Sequence, residues 1–242
     1  MKRLFISLAI LAGISLSSCN DSFLEKTPVT DLTENNAFNS YDNFKAFMWP
    51  CYEMFTNNTI RTSLQGFGQD GQYKGDMAAG YFQQKYESGY NEFAYQTVAS
   101  VASGNGWDFK SFIRRVNIML SHIDNSSMTE AQKDHWRAVG YFFHSFWYME
   151  LIDRFGDVPW VDQVLQEDSP EAYGPRVDRK TVADKVLERL QWAEQNIGNF
   201  TSQDGDNTIN QDCVRAVISR FGLREGTWRK YHELGDAEKY LQ

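Results

Sequence analysis

The stretch "TEAQKDHWRAVGYFFHSFWYMELIDRFGDVPW" constrains this chain more than any other. Thr129 is followed three residues on by Gln132, the capping-box pattern in which each side chain satisfies the other residue's backbone N–H at a helix start. Gly156 suits the left-handed position just past a helix end, and Pro159 stands where a helix cannot resume. A long helix from Thr129 to Phe155 follows.

The remaining apolar pattern agrees. Ser40 caps a helix whose inward face is Tyr41, Phe44, Met48, Cys51, Tyr52 and Phe55, with Pro50 kinking it or ending its first half. Phe109, Phe112, Ile113, Val116, Leu120 and Ile123 mark a helix over 107–124. Asp178 caps a helix over 179–197 with Val182, Val186, Leu190, Ala193 and Ile197 inward, ended by Gly198. Asn210 caps another over 211–226 with Val214, Ile218 and Phe221 inward. "GDAEKYLQ" begins one more. A polar, proline-bearing connection fills 162–178, and no segment alternates as a strand does. The expected class is all-α, built of helical hairpins, with a long irregular region over 61–106 where periodicity fades. Aromatic residues make up 15% of the chain, and that region takes an unusual share of them among Gly, Gln, Asn and Ser. Long loops of this kind are functional or disordered.

The N-terminus carries a different signal. Lys2 and Arg3 precede an apolar run from Leu4 to Leu16 and the small residues Ser17 and Ser18, the layout of a secretory signal peptide over 1–18. The run is shorter than the roughly 20 residues that span a bilayer. "LSSC" resembles the lipobox of bacterial lipoproteins, which implies acylation of Cys19 and membrane attachment through its lipid. Residues 19–39 then form a tether and 40–242 the helical domain. A formal charge of −8 argues against nucleic acid and anionic lipid surfaces, which select basic patches. Cys51 and Cys213 do not make a disulfide framework, and free buried thiols are expected.

Trp136, Val139, Gly140 and Phe143 reproduce the spacing W-x2-L-G-x2-Y of a tetratricopeptide helix, with Gly140 as the small residue where a partner helix crosses. Short connections would pair 107–124 with 129–155, and 179–197 with 211–226, as antiparallel hairpins. Larger blocks, "CNDSFLEKTP", "WDFKSFIRRVNIMLSHID", "HWRAVGYFFHSFWYMELIDRFGDVPWV", "GPRVDRKTVADKVLERLQWAE" and "AVISRFGLREGTW", resemble in order the SusD/RagB family of outer-membrane nutrient-binding lipoproteins of Bacteroidetes-type bacteria. The resemblance implies a tetratricopeptide-like scaffold bearing an irregular ligand-binding surface. It also implies a location on the outer membrane facing the exterior, and a SusC-like TonB-dependent transporter as partner. Family chains continue beyond this point, so a truncated form lacking much of the ligand site is expected.

Candidate chemistry is sparse. "DGQYKGDMAAGY" places Asp70 and Gly75 at positions one and six of a calcium loop, but Gln72, Lys74 and Tyr81 occupy the ligand positions. "SQDGDN", with Asp204 and Asp206, reads as a solvated turn. His122, His135, His144 and His232 have no metal-ligand spacing, and His144 reads as a packed core histidine. Asp153 with Asp157, and Glu167 with Asp168, are carboxylate pairs of the kind glycoside hydrolysis uses; Asp153, Arg154 and Asp157 read better as the polar end of a helix. Packing and backbone hydrogen bonds account for Trp107 and Asn117. No catalytic signature, metal or cofactor is expected. The loop aromatics remain: sugar rings stack their C–H faces on tyrosines while amides and carboxylates take their hydroxyls. Asp70, Tyr73, Tyr81, Tyr86, Tyr90 and Asn91 are the candidate ligand-binding residues, for an oligosaccharide or, in a RagB-like variant, a peptide. A lipid-anchored helical-repeat adaptor that binds only proteins is the alternative from another class, and a surface glycosidase a third.

Overall fold

Helices form where the sequence supplies both a cap and an apolar stripe. The computed structural model describes residues 38–55 and 110–242. The signal peptide, Cys19, the tether up to residue 37, Trp107 and the whole 61–106 region lie outside them, while Phe38, at the end of the expected tether, is buried against Phe44 and His122. Helix α1 (Tyr41–Met48) is capped by Ser40, whose hydroxyl accepts from the Asn43 N–H at 3.4 Å. At Pro50, which has no N–H to donate, it gives way to a 3-10 segment, Trp49–Phe55. Next come α2 (Lys110–His122) and α3 (Glu130–Phe155). Both halves of the Thr129/Gln132 capping box are present, and Gly156 closes α3 with φ 69°. A 3-10 turn, Pro170–Tyr173, interrupts the following connection. Asp178 caps α4 (Arg179–Asn196) through the Thr181 N–H at 2.9 Å. The single-turn α5 (Thr201–Asp204) precedes α6 (Gln211–Tyr231), which Asn210 caps through the Cys213 N–H at 3.0 Å. A last turn, α7 (Glu238–Leu241), ends the chain. Among the described residues there is no strand, only an isolated bridge between Val158 and Val177.

One boundary differs from the sequence reading. Helix α6 runs through Gly226 to Tyr231. That glycine makes room for packing: a Cβ there would lie 2.6 Å from Leu241 Cγ of α7.

Helices α2 and α3, α3 and α4, and α4 and α6 pair antiparallel, as cross-contacts running in opposite order along the two partners require. Phe112 meets Trp147 while Arg137 reaches back to Asp124. Ser145 donates to the Val186 carbonyl while Tyr141 packs on Trp192. Arg179 pairs with Glu225 while Arg215 pairs with Glu194. Helix α3 is the centre of this stack, with fifteen buried residues. Gly140 lets α2 approach it, since a Cβ there would lie 2.6 Å from Met119 Cε and 2.9 Å from Leu120 Cδ2. Val139, Phe142, Phe146 and Ile152 of α3, with Val182, Val186 and Leu190 of α4, are all buried. Removing each such side chain from water stabilises by about 1.5–3 kcal/mol.

A helix buried this deeply must satisfy its polar side chains inside the protein. Three of those on α2 and α3, Asn117, His144 and Tyr148, grip the main chain of the segment after α3. His144 Nε2 donates to the Val161 carbonyl at 2.9 Å, and Asn117 Nδ2 donates to the same carbonyl at 3.1 Å and to Gln163 O at 3.0 Å. The Tyr148 hydroxyl donates to Pro159 O at 3.0 Å and accepts from the Val161 N–H at 2.7 Å. Trp160 closes over Tyr148 and His144 at ring separations of 4.5 and 4.9 Å, with the Arg189 guanidinium 4.9 Å from its own ring. Residues 157–163 are thereby strapped to the bundle. His144 is indeed a packed core histidine and Asn117 a backbone-bonding residue.

Burial first, and the nearby Arg189 charge second, hold the His144 imidazole well below its usual pKa. Below about pH 6.5 the unfolded chain takes up a proton here that the folded chain does not. Stability therefore falls as pH drops, by up to about 1.4 kcal/mol per pH unit. His144→Gln keeps a donor for the Val161 carbonyl and removes that proton uptake. Urea denaturation followed from about pH 7 to 5 should give a shallower loss of stability in the variant than in the parent; equal slopes would mean that His144 is charged in the folded protein.

Candidate functional site

Asp204 does not lie in a solvated turn, as its sequence surroundings suggest, but points into the protein. Its side chain is only 4% exposed. Phe200 and Thr201 start the short α5, Gly205 ends it with φ 87°, and the single turn points Asp204 inward. There its Oδ2 accepts from the Tyr41 hydroxyl of α1 at 2.5 Å and lies 3.4 Å from His135 Nε2 of α3. Lys45 of α1 stands 3.5 Å from Oδ1 and donates to the Gln203 carbonyl at 2.7 Å. Asp206, two residues on, stays exposed as expected.

Each partner is fixed from a second direction. His135 Nδ1 lies 3.1 Å from the Gly198 carbonyl, which requires the Nδ1–H tautomer, and the ring packs edge-on against Phe200 at 4.8 Å. Burial pulls the His135 pKa below its usual value, opposed by the Asp204 charge. Burial and the hydrogen bond to Asp204 push the Tyr41 hydroxyl far above the usual tyrosine range, so it stays protonated and donates to the carboxylate. The Tyr52 hydroxyl accepts from the Ile209 N–H at 3.0 Å, tying the α5–α6 connection to the segment after α1, and burial raises its pKa to about 12. Neighbouring Cys51 is free and buried, its thiol raised to about 12. Cys213 is also free but half-exposed.

These contacts leave a cleft of about 330 Å³ over the α4–α6 connection. Asn199, Phe200, Thr201, Asp204, Thr208 and Asn210 are among its lining residues. Its open surface is made of side-chain amides, hydroxyls and an aromatic ring, with the Asp204 carboxylate engaged beneath it. The candidates named from sequence, Cys19 for lipid and Asp70, Tyr73, Tyr81, Tyr86, Tyr90 and Asn91 for ligand, all lie outside the described residues. The Asp153/Asp157 pair is structural: Asp153 pairs with Arg224 and Arg179, and Asp157 accepts from the Arg179 N–H at 2.9 Å. Glu167 and Asp168 are exposed. Among the described residues no cluster of His, Cys, Asp or Glu is placed to hold a metal, and no helix is long and apolar enough to cross a membrane.

The SusD-like family, described as starch-binding and associating with the outer membrane, matches residues 22–223. The chain belongs to this family. No curated protein matches the SusD-like chain significantly. Solved structures share its fold. A SusD-like protein of Bacteroides fragilis and a SusD-like carbohydrate-binding protein of Bacteroides vulgatus each superpose with a TM-score of 0.59, covering 84% of this chain at 17% identity. A laminarin-binding SusD-like protein covers 78% with a TM-score of 0.56, also at 17% identity. The SusD-like chain spans 39%, 44% and 41% of these three in turn.

The tie between Asp204 and Tyr41 joins residues far apart in sequence, so it should be measurable in stability. Tyr41→Phe removes one donor from a buried carboxylate, a loss of about 1–3 kcal/mol. Urea denaturation should give a lower midpoint with an unchanged slope; an unaltered midpoint would mean that solvent satisfies Asp204 without Tyr41.

Proposed function

We propose that this SusD-like chain is a surface lipoprotein of the outer membrane, held by lipid on Cys19, that binds a nutrient oligosaccharide and passes it to a SusC-like TonB-dependent transporter. It performs no catalysis of its own. The family match over residues 22–223, with its starch-binding and outer-membrane description, is the observation that supports this most strongly. The lipobox-like "LSSC" supplies the means of attachment. The tyrosine- and amide-rich segment from Asp70 to Asn91 supplies the chemistry: flat apolar rings for sugar C–H faces, with polar side chains for the hydroxyls. A glycan ligand also agrees with the laminarin named for one structural neighbour.

Two experiments test the two halves. Cys19→Ala, expressed with its leader, should leave the membrane fraction and stay soluble in the periplasm; membrane retention equal to the parent would refute lipid attachment at this residue. In affinity electrophoresis through starch or laminarin, the parent chain should be retarded. Tyr81→Ala and Tyr90→Ala should each weaken retention roughly tenfold, about 1.4 kcal/mol. Retardation by neither polysaccharide, with capture of peptides instead, would move the assignment to a RagB-like peptide receptor. Recovery of a protein partner alone would favour an adaptor.

A further inference from the structure

We propose that a single buried water molecule joins α1, α3 and α5, held between the Trp136 indole N–H and the Asp204 carboxylate. Both residues line an inner cavity of about 10 Å³. Trp136 is 3% exposed and the Asp204 side chain 4%. Neither Trp136 Nε1 nor Asp204 Oδ1 has a hydrogen-bond partner among the described residues. One is a donor and the other an acceptor, and buried groups of both kinds ordinarily find partners. The inference concerns how the helices are joined and does not rest on the glycan reading.

Lys45 reaches the same cavity from α1. Its Nζ pairs with Asp204 Oδ1 at 3.5 Å, while its short bond, 2.7 Å, goes to the Gln203 carbonyl. The ion pair is longer than the roughly 2.7–3.2 Å of an N–H···O bond, and at such a spacing a bridging water joins two polar groups nearly as well as direct contact does. The Tyr41 hydroxyl already occupies Oδ2 at 2.5 Å. Oδ1 is therefore the carboxylate oxygen left to accept.

Size and charge select water. A buried water needs about 10–15 Å³ and two to four polar partners, and this cavity supplies both. A metal cation would face the Lys45 ammonium and the indole N–H, neither of which has a lone pair to give it. An anion would face the Asp204 carboxylate. An apolar group would leave the indole N–H and Oδ1 as they are. Water donates to Oδ1 while accepting from Nε1, so one molecule completes both. Val139, buried at 1% exposure, forms part of the apolar wall.

The test reads the water directly in the full chain. Nuclear magnetic resonance of the indoles, with Trp136→Phe identifying the Trp136 signal among the seven tryptophans, should show a cross-peak from water to the Trp136 N–H with the sign of long-held water. A crystal structure resolved well enough to place waters should show one within hydrogen-bond distance of Trp136 Nε1 and Asp204 Oδ1. Val139→Ile adds a methyl group to the cavity wall and should abolish the cross-peak. No cross-peak in the parent, or a cavity clear of density, would overturn the proposal. So would a cross-peak of parental strength in Val139→Ile, which would trace the signal to exchanging protons of Lys45 or Thr208. If Val139→Ile does not fold, the two measurements on the parent decide alone.

Discussion

The structure depends on the way a deeply buried helix disposes of its polar side chains. Helix α3 lies between α2 and α4, and His144 and Tyr148 sit at its fully buried middle. In water these groups would be satisfied at no cost; inside the protein each needs a partner or forfeits about 1–3 kcal/mol. They find partners in the main chain of residues 159–163, together with Asn117 of α2. One demand thus fixes three things: the register of α2 against α3, the path of the chain leaving α3, and the place from which α4 begins. The Val158–Val177 bridge then closes the connection on itself.

Charges at the other side of α4 follow the same logic. Arg229 and Glu225 are fully buried and pair at 2.8 Å, while Arg179 reaches Glu225 at 2.7 Å. Arg229 also donates to the Tyr240 hydroxyl at 3.0 Å, and that hydroxyl donates to Asp184 at 2.6 Å. A buried ion pair of this kind adds little net stability over apolar packing. Breaking it leaves an uncompensated charge, so the network selects one way of seating α6 and α7 on α4.

Local signals were readable in the sequence and distant ones were not. Caps at Ser40, Thr129, Asp178 and Asn210 act within three or four residues, and each is found where the pattern places it. The stripe of α4 and the small residue at Gly140 likewise report on immediate packing. Asp204 carries no such signal. Its decisive partner, Tyr41, is 163 residues away, and nothing in "SQDGDN" distinguishes a carboxylate turned inward from one in solvent. The far end of α6 is illegible for a related reason: the reason Gly226 sits inside the helix, room for Leu241 of α7, lies in a contact between elements and not in the local pattern. The family blocks were legible because several of them carry this architecture directly, "FGDVPWV" being the strap itself.

The strap has a further consequence for how this surface can change. Helices α2 and α3 hold it by the carbonyls of Pro159, Val161 and Gln163 and the N–H of Val161, atoms that almost every residue type possesses. Gln163 faces solvent, and the clamp reads its carbonyl and not its side chain, whereas the Asp162 carboxylate accepts from the Trp160 indole N–H at 2.9 Å and so helps to hold that ring in place. An outward position such as Gln163 can be rewritten while the backbone beneath it stays in place, so the fold keeps a surface open to variation and bolted down by the peptide group.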